Sequence, residues 1–191
     1  GGSKNIKNKN LKIFNGKPMI YWTILQAKKT KHCNKIYVSS DDEKILNYAK
    51  KLECVAIKRP KTLSSDNSSS EEAIKHTINN IKDTKIDYIV FLQCTSPLRS
   101  ASDIDNALNM IIKKKANSLF SIVDFDDLTL WTYKNNKIIP FSYNPLKRLP
   151  RQKSENFLIE NGSIYIFKPS VLRNRNNRID INSFATYKMN K

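Results

Sequence analysis

The sequence predicts an α/β fold with a mostly parallel sheet. Three observations carry this: short apolar runs alternate with stretches of helical periodicity, one run is apolar without interruption, and the alternation breaks once, near residue 124. Such alternation implies right-handed βαβ units, whose ligands bind beyond the carboxyl ends of the strands. The loops to inspect are therefore 1–10, 39–42, 58–70 and 93–101.

Taken in order, Ile36-Tyr37-Val38 reads as a short buried strand. Asp41-Asp42 stand where a helix begins, and Ile45, Ala49 and Leu52 continue at helical spacing. Cys54-Val55-Ala56-Ile57 is a second strand, and Ser68 to Glu72 opens a helix with Ile74, Ile78 and Ile81 on one face. Tyr88-Ile89-Val90-Phe91-Leu92 is the uninterrupted run, as expected of a parallel strand covered on both faces. Ser102 with Asp105 resembles a capping box ahead of the stripe Ile104, Ala107, Leu108 and Ile111. Leu119 to Val123 closes the series. Beyond it, Trp131-Thr132-Tyr133 and Lys137-Ile138-Ile139 suggest a hairpin around Asn135-Asn136, and Ser163 to Phe167 is again a strand. Residues 124–160 read as an excursion from the sheet.

Bulk properties narrow the class. A length of 191 residues with 39% hydrophobic content fits one globular domain, 1–191, with an ordinary core. No run is long and apolar enough to span a bilayer, and the polar start Gly1-Gly2-Ser3-Lys4-Asn5 has no apolar stretch of a secretory signal, so no membrane partner and a cytoplasmic location are expected. Cys33, Cys54 and Cys94 are far apart and odd in number, which reads as reduced thiols rather than a disulfide framework or zinc site. The net charge of +17 suits capture of anionic ligands. Its lysines are scattered rather than blocked, no nucleic-acid module is visible, and a Lys/Asn/Ile bias is also what an AT-rich genome produces. Nucleic acid is therefore not an expected partner.

Two clusters can carry chemistry. Gly1-Gly2-Ser3-Lys4 with Lys9 offers backbone N–H groups, a hydroxyl and point charges suited to phosphate oxygens, although it is not the phosphate loop that ends in Gly-Lys-Ser/Thr. Gln93-Cys94-Thr95-Ser96-Pro97-Leu98-Arg99 follows the strongest strand, and Gln93 presents both a donor and an acceptor for sugar hydroxyls. A strand-to-helix turn with Arg99 paired locally is the structural alternative for the rest of that segment.

The blocks GGSKNIKNKNLKIFNGKPM, VSSDDEKI, KRPKTLSSDNSSS, FLQCTSPLRS and PRQ…NGSIYIF keep one order across almost the whole chain. Together they resemble the bacterial CMP-sialic acid synthetase (acylneuraminate cytidylyltransferase) family, including the legionaminic and pseudaminic acid enzymes. The resemblance implies a Rossmann-like nucleotidyltransferase fold, usually a homodimer, in which 124–160 is a dimerisation arm. It implies that the anomeric hydroxyl of a nine-carbon acidic sugar attacks the α-phosphate of CTP and pyrophosphate leaves, with Mg2+ assisting. Lys4 and Lys9 would be the catalytic cations. Gly2, Ser3, Lys4, Lys9 and Asn10 would hold the triphosphate side of CTP, with Arg59 and Ser70 toward cytidine. Gln93, Arg151, Asn161 and Tyr165 would serve the sugar, Arg151 from a neighbouring subunit. For Arg59 a salt bridge, for Arg151 a solvated surface role and for Tyr165 simple packing are the competing readings.

The same resemblance implies an arginine and a first strand ahead of Gly1, and an Asp-Ile-Asp magnesium motif and a last helix after Lys191. Asp180, in Ile179-Asp180-Ile181-Asn182, echoes that motif but has no second aspartate, so no metal ligand is assigned within the chain. Cys94 replaces the family's usual proline, and Ile159 stands where many members have arginine. Three alternatives remain open at the level of sequence: a nucleotidyltransferase for sugar 1-phosphates, a truncated relative that binds CTP without turnover, and a basic polyanion or nucleic-acid binder.

Overall fold

The computed structural model describes residues 6, 8–33, 35–65, 68–81, 85–125, 129–150 and 157–190. A short antiparallel hairpin comes first, β1 (Ile13–Phe14) with β2 (Lys17–Pro18). Its turn is Asn15-Gly16, at φ 46° and 76°, the left-handed pair that two-residue hairpins require. Helix α1 (Met19–Lys29) follows and buries Ile20, Thr23, Ile24 and Ala27, one stripe at i, i+3, i+4 and i+7. Pro18 precedes it without a side-chain cap, which is why no start signal marked this helix in the sequence.

Strands β3 (Tyr37–Ser40) and β4 (Val55–Lys58) pair in parallel around helix α2 (Glu43–Lys51). The start expected at Asp41-Asp42 is there: Asp42 accepts the Lys44 N–H at 2.8 Å. Helix α3 (Ser70–Asn79) opens with a full capping box, Ser69 and Glu72 each accepting the other's backbone N–H. The uninterrupted apolar run forms β5 (Ile89–Leu92).

The capping box of the next helix, α4 (Ala101–Lys114), lies two residues before the expected one. Ser100 is the cap and Asp103 its partner. Residues 100–105 read Ser-Ala-Ser-Asp-Ile-Asp, so two frames satisfy the pattern. The earlier frame adds Ala101 to the helix and leaves the Asp105 carboxylate to accept the Lys31 N–H at 3.0 Å from another segment. The expected stripe is buried as read: Ile104, Ala107, Leu108 and Ile111.

Strand β6 (Ser118–Phe125), the hairpin β7 (Trp131–Lys134) and β8 (Lys137–Pro140), strand β9 (Phe157–Phe167), helix α5 (Pro169–Arg175) and strand β10 (Phe184–Lys188) complete the order. Four strands form one sheet in the order β10-β6-β9-β5. Strand β9 runs antiparallel to β5, with Phe91 opposite Tyr165 and Leu92 opposite Ile164. The architecture is thus α/β, as expected, but its sheets are mixed. A continuous apolar run records only that both faces of β5 are covered. It does not record that β9 returns from the excursion in the opposite sense.

The chain divides into two compact units, residues 1–121 with 162–187, and residues 122–161 with 188–191. The larger unit has two apolar clusters. One gathers Ile20, Ile24, Ile45, Ala49 and Cys54 between α1 and α2. The other gathers Ile74, Tyr165, Phe167, Val171 and Leu172. In the smaller unit Asn135 and Asn136 take φ 49° and 59°, the mirror-image turn that matches strand twist in hairpins. The Met189 N–H donates to the Ile122 carbonyl at 2.8 Å, and Lys188 pairs with Asp124 at 2.7 Å. Among the described residues no helix is long and apolar enough to cross a membrane.

Candidate functional site

Three parts of the larger unit pack on one apolar cluster. The first is a single 3-10 turn, Lys9–Leu11, entered through Asn8 at φ 55° and tied to the start of α1 by the Met19 N–H on the Lys12 carbonyl at 2.9 Å. The second is strand β3 itself, and the third, residues 93–99, follows β5. Leu11, Val38 and Cys94 all pack on the cluster around Ile20 and Ile24. Burial pushes the Cys94 thiol up, and the nearby charges of Arg99 and Lys9 pull the other way. Lys9 thus lies near enough to Cys94, the neighbour of Gln93, for its charge to act there.

Arg59 stands directly after β4. Its N–H donates to the Ser40 carbonyl at 2.8 Å, its Nε donates to Ser64 Oγ at 3.0 Å, and its guanidinium lies 3.8 Å from the Asp41 carboxylate. Both competing readings of Arg59 remain compatible with this: the ion pair exists, but it is long. The loop that follows is laced internally, with Ser65 Oγ and Ser68 Oγ 2.8 Å apart and Ser68 Oγ donating to the Thr62 carbonyl at 3.1 Å. It delivers Ser70 to the first position of α3, at the positive end of the helix.

The 93–99 segment is organised around Arg99, which is 2% exposed. Its guanidinium donates to the Ser163 carbonyl on β9, to Thr23 Oγ1 on α1 at 3.2 Å, and to the Gln93 carbonyl at 3.4 Å. These are neutral acceptors, and Nε has no partner. Burial pulls this guanidinium down to about 10. The Gln93 side chain lies against Gly162, where an added Cβ would come within 3.1 Å of Oε1, and Gly162 holds φ +67°. Thr95 Oγ1 sits 3.5 Å from the same oxygen.

Other expected site residues fall elsewhere. Asn161 belongs to the smaller unit, where its Nδ2 lies 3.2 Å from Met189 Sδ. Tyr165 lies on β9, opposite Phe91. It is 4% exposed, packs on Phe91 at 6.0 Å, and carries the Arg178 guanidinium 4.3 Å over its ring. A ring covered in this way serves the core. Gly2, Ser3, Lys4 and Arg151 lie outside the described residues.

No group of three His, Cys, Asp or Glu side chains suited to a metal ion occurs among the described residues. Asp180 is a local hub instead. Its carboxylate accepts Asn117 Nδ2 at 3.0 Å and the Asn182 N–H at 3.2 Å, and pairs with Arg175 at 2.9 Å. The bond from Asn117 leads in holding this carboxyl below the usual aspartate range.

Sequence reasoning passed over Arg99 as a local contact and did not single out Thr23 or Gly162. The signal was faint: one arginine in an otherwise uncharged loop, and a glycine inside an apolar strand pattern.

The family model described as cytidylyltransferase matches residues 1–189. The chain belongs to the cytidylyltransferase family. It is 32% identical over 170 residues to the N-acylneuraminate cytidylyltransferase of Oncorhynchus mykiss, covering 87% of this chain and 39% of that protein. It is 31% identical over 147 residues to the pseudaminic acid cytidylyltransferase of Campylobacter jejuni, covering 74% of this chain and 63% of that one. The chain thus spans less than two thirds of either relative. Among solved structures, CMP:2-keto-3-deoxy-manno-octonic acid synthetase complexed with CTP superposes with a TM-score of 0.72 at 16% identity, over 98% of this chain and 86% of that one. At that identity the likeness is one of fold. The family membership agrees with the resemblance carried by the GGSK and TSPLR blocks.

Proposed function

We propose that the protein transfers CMP from CTP to the anomeric hydroxyl of a nine-carbon acidic sugar, of the sialic, legionaminic or pseudaminic type, and releases pyrophosphate. The observation that carries this reading is the packing of Leu11 and Cys94 on one cluster, which brings Lys9 near the Gln93 segment, within a chain matched over residues 1–189 by the cytidylyltransferase family. The relatives named for N-acylneuraminate and pseudaminic acid support the choice of acceptor.

In this reading Lys4 and Lys9, with the Gly2 and Ser3 backbone and hydroxyl, neutralise charge on the triphosphate as it moves toward the pyrophosphate leaving group. Asn10 closes the same loop. Arg59 and Ser70 recognise cytidine, Ser70 from a helix N-terminus. Gln93 hydrogen-bonds the sugar, and the family resemblance also assigns Asn161 and, from a second subunit, Arg151 to sugar recognition. Magnesium carried in with CTP would supply charge neutralisation for the departing pyrophosphate. Residues 124–160 act as the dimerisation arm of a homodimer.

Calorimetry with CTP, UTP, ATP and GTP, with magnesium at two salt concentrations, tests the nucleotide. A preference for CTP that survives the higher salt supports the reading. Equal binding of all four that fades together with salt means that only the +17 charge is at work. Pyrophosphate release from CTP on adding each acidic sugar then tests the transfer.

A further inference from the structure

Arg99 is a buried cation with only neutral acceptors. An arginine 2% exposed is normally paired with a carboxylate, because desolvating an unpaired charge is expensive. Here the guanidinium gathers the carbonyls of Gln93 and Ser163, the Ser163 hydroxyl and the Thr23 hydroxyl, and its Nε has no partner. Those acceptors come from three different elements: α1, the segment after β5, and β9. They meet at the root of the Gln93 segment. Asp103, close in sequence, is engaged instead by the Ser100 N–H, the Ser100 hydroxyl and the Tyr187 hydroxyl.

The Gln93 side chain is limited from its other end. Its Oε1 occupies the space that any Cβ at position 162 would claim, and the backbone there sits at φ +67°, where glycine is the natural residue. Strand β9 thus contributes twice: Ser163 as an acceptor for Arg99, and Gly162 as the bare surface on which the Gln93 carboxamide rests. The Gln93 carbonyl is held by Arg99, itself anchored on Ser163, while the Gln93 side chain lies against Gly162, the residue before it in the strand.

We propose that Arg99 and Gly162 are positioning residues for Gln93, setting the pocket's selectivity for its acidic sugar while leaving nucleotide binding to other residues. The inference rests on the proposed transferase reading, because it gives Gln93 a sugar to hold. A carboxamide displaced by a few tenths of an ångström loses alignment with the hydroxyls it reads, and misplacement approaching 1 Å lowers turnover by up to about a hundredfold.

The test uses the full-length protein, with CTP and each of the three acidic sugars, as wild type, Gly162→Ala, Arg99→Lys and Arg99→Ala. Thermal melting checks that each variant is folded, calorimetry measures CTP affinity, and pyrophosphate release gives kcat and KM for each substrate. The expected result for Gly162→Ala is a sugar KM raised about tenfold with CTP affinity within about threefold of wild type. Arg99→Ala should lose more, and millimolar guanidinium should restore part of its sugar turnover by entering the vacated site. Should Arg99→Ala not fold, Gly162→Ala and Arg99→Lys decide. Unchanged sugar kinetics in folded Gly162→Ala and Arg99→Lys overturn the inference. So does a loss in which CTP and sugar parameters decline together with the folded fraction. A wild-type protein inactive on every acidic sugar overturns the transferase reading, and this inference with it; an active wild type with unaffected variants overturns the inference alone.

Discussion

Removing the Arg178 side chain should loosen the start of α3 from the sheet beneath it. Its guanidinium lies 4.3 Å over the Tyr165 ring and 5.5 Å from the Phe91 ring, and 3.3 Å from the Glu71 carboxylate. The Arg178 and Glu71 side chains are only 17% and 18% exposed, so their pairing is shielded from bulk water. A cation stacked on an aromatic ring in such a place contributes about 1–2 kcal/mol. A partly buried ion pair adds roughly 1 kcal/mol, and stranding Glu71 unpaired costs about as much again. Arg178→Ala should therefore cost about 3 kcal/mol, equivalent to a fall in Tm of roughly 6–12 °C for a chain of this size. Urea denaturation of wild type, Arg178→Ala, Glu71→Ala and the double variant gives both the total and the coupling. Arg178→Met, which keeps apolar contact but no charge, should recover only part of the loss. A total below about 1 kcal/mol, or additive single variants, would refute the stack as the link between α3 and the sheet.

Further outcomes follow from other contacts. Ser100→Ala should cost about 1 kcal/mol in urea melts and Ser102→Ala less than half of that, because Ser100 is the residue whose hydroxyl accepts the Asp103 N–H. The Asp180 carboxyl lies below its ordinary range, with the Asn117 bond as the leading cause, so its contribution is present above the unfolded value and is lost as pH falls through the folded one. A melting series below about pH 4 should show a shallower acid-side loss for Asp180→Asn than for wild type. Asn136→Val should destabilise the β7–β8 hairpin by about 1–2 kcal/mol, since it forces a β-branched residue to φ 59°, whereas Asn136→Gly should be neutral or slightly stabilising in the same assay. Lys9→Ala should raise the KM for CTP by about tenfold or more with melting unchanged, measured by pyrophosphate release.

Most of the framework was legible because its signals are local. The Asn135-Asn136 turn, the Ser69–Glu72 capping box and the run at Ile89–Leu92 each depend on residues within a few positions of one another. The direction of β9 was not legible, because apolar strands look alike whichever way their neighbours run. The N-cap of α4 was ambiguous for a simple reason, two serine–aspartate frames two residues apart. Helix α1 carried the right stripe in Ile20, Ile24 and Ala27 but no start signal at Pro18. In the candidate site, Gln93 is singled out by its residue type and its place after β5, and Lys9 by its place in a basic, polar loop. Arg99 was discounted because its acceptors, Thr23 and Ser163, lie 76 and 64 residues away in sequence. The packing of Tyr165 was hidden in the same way: nothing nearby in the sequence announces that Arg178 covers its ring.

The chain has only 4 glycines in 191 residues, yet its backbone turns through the left-handed region repeatedly. Among the described residues, Asn8, Asn15, Asn135, Asn136 and Asn176 occupy five of the seven non-glycine positions of positive φ, alongside Glu53 and Lys115. Asparagine tolerates that region better than other residues with a side chain, and it is stiffer than glycine in the unfolded chain. A drift of composition toward asparagine therefore need not erode such a fold. Turns that glycine would make at a greater cost in chain entropy are held here by a residue that the coding bias already favours.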